Sequence, residues 1–142
     1  MTRLTRQQAT SRLADGVRDD LAAAGAIQAL LEQQFDAALR HQSAQLSALA
    51  EQLTPLLGAM EQRRQQRVTL VRALLGPDAT MAGFIASVAE PAQAGLAAAW
   101  RELEALVLEC KAATTRNGAL LAEQFSVMQR VLHGEGEIYA ER

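Results

Sequence analysis

The sequence predicts an all-α protein: an elongated antiparallel hairpin of two long, coiled-coil-like helices, with a short helix near the bend and a flexible C-terminal tail. Composition is the first reason. Of 142 residues, 29 are alanine and 21 are leucine, and glutamine, glutamate and arginine are plentiful. These are strong helix formers, whereas the β-branched residues that fill strands are scarce. Periodicity is the second reason, because apolar residues recur at steps of three and four over two long stretches. The third is punctuation: Gly76-Pro77-Asp78 and Glu90-Pro91 separate those stretches. Aromatic residues make up only 4%, which suits thin helical layers better than a thick core. The length fits one domain, 1–142.

The first rod is expected over about 19–75. Leu21, Ala24, Ile27, Leu31, Phe35 and Ala38 lead through Gln42 and Leu46 to Leu49, Leu53, Leu56 and Met60, and on to Val68, Val71 and Leu74. Gly16 and Gly25 weaken the first turns, so the dependable helix begins near Asp19 or Asp20, where acidic side chains suit the positive helix end. Thr54-Pro55 is either a cap opening a second helix or a kink inside one rod. The stripe keeps phase across it, which favours the kink.

Gly76-Pro77-Asp78 ends the rod, since glycine accepts a left-handed cap and proline cannot continue the ladder. Met81, Phe84, Ile85 and Val88 then trace a short helix over about 80–88. The second rod, about 92–132, carries Leu96, Trp100, Leu103, Val107, Cys110, Thr114, Asn117, Leu121, Phe125, Met128 and Leu132. Its register survives Asn117-Gly118. His133-Gly134 is expected to stop it, leaving a tail over 133–142 with Ile138 and Tyr139.

A formal charge of −2 with 21% charged residues offers no polycationic face, so nucleic acid is not an expected partner. No apolar run approaches the roughly 20 residues that span a bilayer. The single Cys110 excludes an internal disulfide, and the opening residues lack the apolar stretch of a secretory signal, so a cytoplasmic setting is expected. Catalytic apparatus is not visible either. His41 and His133 lie in no E-x-x-H arrangement, so no metal or other cofactor is expected. Cys110 falls on the apolar stripe with no basic residue placed to activate it, and reads as a packed thiol. Arg63, Arg64, Arg67 and Arg72 could grip phosphate or an acidic partner. A solvated helix face is the plainer reading, with Glu61 pairing Arg64 three residues on.

Asn117 admits two readings. A buried amide on an apolar seam costs stability unless hydrogen-bonded and serves to fix register, whereas an amide rotated to solvent does nothing. Gly118 either lets another helix approach closely or merely softens its own. Beyond them, Leu120, Leu121, Phe125, Val127, Met128, Val131 and Leu132 make the end of the second rod apolar around more than half its circumference. Either the short helix covers this face or it waits for a partner helix.

The opening Met-Thr-Arg-Leu, the group Arg63, Arg64, Arg67 before Leu74-Leu75-Gly76, Trp100 at the start of the second leucine stripe, Arg116-Asn117-Gly118-Ala119-Leu120-Leu121 and the terminal Tyr139 together resemble the FlgN family of flagellar type III export chaperones. The resemblance spans nearly the whole chain. It implies a non-catalytic cytoplasmic chaperone that binds the C-terminal segments of hook-associated (hook-filament junction) proteins and delivers them to the export machinery. Carried onto this sequence, the client site is Asn117, Gly118, Leu120, Leu121, Phe125, Met128 and Leu132, and Tyr139 is the contact to the export gate. The alternative is a plain helical adaptor or homodimerisation rod whose apolar faces a second copy covers.

Overall fold

The computed structural model describes the backbone of residues 5–140 and the side chains of residues 5–134. Four helices follow one another: α1 (Arg6–Leu39), α2 (Ser43–Leu75), α3 (Met81–Ala86) and α4 (Ala92–Ala140). The all-α class holds, and α3 and the start of α4 lie where the sequence places them. The first rod differs. It is two helices folded back on each other rather than one rod over 19–75, and it starts thirteen residues or so before Asp19 (Arg6 against Asp19).

Each difference has a local cause. Thr5 caps α1 as a full capping box, its hydroxyl accepting from the Gln8 amide while the Gln8 side chain accepts from the Thr5 N–H. Two satisfied donors outweigh the propensity cost of Gly16. The reversal at Arg40–Gln42 contains neither glycine nor proline. His41 takes the left-handed conformation, φ 55°, and the Gln42 and His41 amides donate to Ala37 and Ala38 carbonyls at 2.9 and 3.2 Å. That is the bonding of a Schellman cap. The apolar spacing stays in phase from Ala38 through Gln42 to Leu46, so periodicity gives no sign of the break.

Pro55 lies inside α2 and does not end it. Gly76 does, with φ 107°. Thr80 caps α3, accepting from the Gly83 amide at 3.0 Å. The second rod likewise runs beyond expectation: His133-Gly134 does not stop α4, which continues to Ala140. An interior glycine costs about 1 kcal/mol against alanine, and without a left-handed cap it need not terminate a helix. Most of the predicted tail, 133–140, is therefore helical backbone; Tyr139's side chain lies outside those described.

The chain thus folds as three long helices and one short. α1 and α2 are antiparallel. α1 and α4 are parallel, at a constant offset fixed by three bonds: Cys110 to the Ala24 carbonyl, Asn117 to Leu31 and Gln124 to Ala38, each pair 86 residues apart. α1 lies between α2 and α4, and those two approach each other at backbone level nowhere among the described residues. At the lower end α3 closes the bundle, with Phe84 fully buried among Leu13, Val17, Val71 and Leu96. A second cluster, Ile27, Leu31, Leu53 and Ala113, fills the upper half.

Candidate functional site

Because α1 ends at Leu39, its last helical residue is level with residue 125 of α4 under the 86-residue offset. From there α4 runs on alone to Ala140, roughly 22 Å at 1.5 Å per residue. Its apolar face does not stop with its partner. Phe125, Val127, Met128, Val131 and Leu132 are each about half exposed, from 45% to 59%. Leu120 and Leu121, just below the end of α1, are half-buried. A contiguous oily strip on a polar helix is the form of a surface that awaits another polypeptide.

The residues expected at the client site are not all on this strip. Asn117 is 1% exposed and turned into the bundle. Its Nδ2 donates to the Leu31 carbonyl and to Gln34 Oε1, both at 2.8 Å, while its Oδ1 accepts from Arg116 Nε at 3.1 Å. The side chain is fully satisfied and belongs to the α1–α4 seam. Of its two readings, burial with register-fixing bonds is the one the structure has. Gly118 is exposed, and a Cβ built there would meet nothing within 4 Å.

Below the strip, α4 is clasped to α1. Arg116 forks onto Glu32, at 3.1 Å for the nearer oxygen, and its guanidinium lies over the Phe35 ring at 4.0 Å. Farther down, Asp20 of α1 is buried and accepts from Arg63 and Arg67 of α2. Arg67 also stacks on Trp100 of α4, 5.2 Å from its centroid. One carboxylate, two guanidiniums and one indole thereby join all three long helices. From the sequence, a solvated face is the plainer expectation for this arginine group. That holds for Arg64, which pairs with Glu61 at 2.7 Å, and not for Arg67, whose side chain is 10% exposed. The missed signal was Asp20, an acid within an apolar stripe.

The Arg64 bonds hold the exposed Glu61 carboxyl at about 2, well below its usual range. Cys110 goes the other way: burial first, and then the neighbouring Glu109, push its thiol up, which disfavours the thiolate at neutral pH. Among the described residues no three His, Cys, Asp or Glu gather to hold a metal, and no helix is long and apolar enough to cross a membrane.

A second apolar surface went unnoticed in the sequence. Since the backbones of α2 and α4 flank α1 without coming together, a trough of about 840 Å³ runs between them, floored by Ala24, Ile27 and Leu31. Leu57 on the α2 wall is 52% exposed and Leu108 on the α4 wall 66%. Leu108 stands one step off the main stripe, so a reading confined to that stripe passes it over.

No curated protein and no solved structure matches the chain. A family model does, over residues 1–133, and its description is FlgN protein. The match takes in the three-helix body and the exposed strip through Leu132, and the chain accordingly belongs to the FlgN family, a family of flagellar export chaperones.

Proposed function

We propose that this protein is a cytoplasmic chaperone that captures the disordered C-terminal segments of hook-associated junction proteins on the free end of α4 and delivers them to the flagellar type III export machinery. The observation that supports it is the strip from Phe125 to Leu132, which projects beyond α1 with its large apolar side chains about half exposed. Burying the remaining half of five such side chains is worth roughly 4 to 8 kcal/mol gross at ordinary transfer values. Ordering a disordered client costs about 2 to 5 kcal/mol of that. The balance favours a contact that protects the client and still lets it go, with no need for nucleotide hydrolysis. Leu120, Leu121, Phe125, Met128 and Leu132 make the contact, Asn117 holds α4 in place for it, and Tyr139 serves as the gate contact.

The test is capture of a purified junction protein by the full chain, followed by secretion in complemented cells. Phe125→Asp is expected to abolish capture while circular dichroism stays at the wild-type level, because that side chain is more than half exposed and belongs to neither apolar cluster. Tyr139→Ala is expected to leave capture intact and impair secretion. Unchanged capture by Phe125→Asp sinks the client site; unchanged secretion removes Tyr139 from the mechanism.

A further inference from the structure

The exposed strip by itself leaves little margin once client ordering and the immobilisation of two molecules are set against it. The surface that could extend it is continuous with it. Glu104, Lys111, Gly118, Phe125 and Leu132 follow one another at steps of seven on α4, which keeps them on one face of a helix. The lower two belong to the α2–α4 trough, and the upper two stand at or beyond the end of α1. Gly118 joins the two halves with open space above it.

We propose that the trough receives the client as an amphipathic helix carrying a basic and an acidic residue seven positions apart, set against Glu104 and Lys111; this rests on the client-capture reading above and extends its site. Three long helices with α1 at the centre leave one corner of a four-helix bundle vacant, and a helix is what fits it. The trough's charges set the chemistry of that helix. On the α2 wall Glu61 and Arg64 neutralise each other. On the α4 wall Glu104 and Lys111 are exposed, and neither makes an ion pair among the described residues. The free end of a second copy matches this poorly. Its free apolar strip is its own α4, where Glu123 and Arg130 lie on the side opposite Phe125 and Leu132 at 100° per residue. Seated in the trough, that strip would bring Ala122 and Gln129 to the wall, not charges.

The protein carries its own reporter, because Trp100 is the single tryptophan and lines the trough, about 37 Å along the helix from Phe125. The probe is a fluorescein-labelled synthetic peptide of about 25 residues, with leucines at alternating steps of three and four and one Lys and one Glu seven apart. The full chain is expected to raise its anisotropy, and the peptide to shift Trp100 emission. Leu57→Glu, on a half-exposed α2 position, should weaken binding at least about tenfold with helix content unchanged. A twin peptide with two glutamates should bind about threefold more weakly, the scale of an exposed ion pair. Raised anisotropy with silent Trp100 and an unaffected Leu57→Glu variant would confine the client to the α4 end, overturning the trough and leaving client capture standing. No anisotropy change overturns it as well. So does a Trp100 shift that tracks protein concentration without peptide, which would assign the trough to a second copy.

Discussion

At the level of single residues, the seam between α1 and α4 is set by polar groups more than by leucines. Cys110, Asn117 and Gln124 stand seven apart and reach Ala24, Leu31 and Ala38 carbonyls, also seven apart. Apolar knobs tolerate a slip along such a seam, but a buried amide that loses its partners does not. Asn117→Ala is therefore expected to lower the unfolding free energy by about 1–3 kcal/mol in urea titration. The adjacent Gly118→Ala should raise it by up to about 1 kcal/mol, since the new methyl meets nothing and the helix gains propensity. Opposite signs at neighbouring positions separate the seam from the surface. If both variants lose stability, Gly118 is packed rather than open. The spacing in the sequence placed Asn117 on the seam, yet it could not say whether the amide finds acceptors, because those belong to a helix 86 residues away.

Among the elements, the informative one is the turn between α1 and α2. A left-handed residue other than glycine costs about 1–2 kcal/mol, and His41 carries that conformation while exposed to solvent. His41→Gly is expected to stabilise the fold by roughly 0.5–1 kcal/mol, read as a higher urea midpoint with an unchanged slope. A drop in stability would mean that the imidazole has a role in the turn. This turn also explains why the hairpin's first arm reads as one rod. Local propensity offers no breaker there, and the stripe continues through it because both α1 and α2 must present apolar faces to the same core. Pro55, the conspicuous breaker, is accommodated in α2 instead. Thr5 shows the converse case, a start signal legible in Thr5-x-x-Gln8 that the nearby Gly16 obscured.

For the whole molecule, the unequal lengths of α1 and α4 matter most. A bundle whose central helix ends fifteen residues before its neighbour does (level 125 against Ala140) has a closed body and an open end. The body holds itself together through Asp20, Arg63, Arg67 and Trp100 and through the two apolar clusters. None of the described residues of the open end belongs to either cluster. A chain ending at Gln124 is accordingly expected to fold, with a melting temperature within about 5 °C of the full chain, while losing client capture. A fall well beyond that would place the α4 end inside the cooperative unit.

The sequence alone determined the helical class, the oily end of α4, the α3 turn and the absence of a recognisable catalytic pattern, because each follows from propensity, period or residue type within one stretch of chain. Only the tertiary structure decided that the first rod folds back, that α1 runs parallel to α4, that Asp20 is buried against arginines, and that a trough opens between α2 and α4. Those features depend on which helix stops first and on pairings between residues far apart, and helical periodicity repeats without recording its partner.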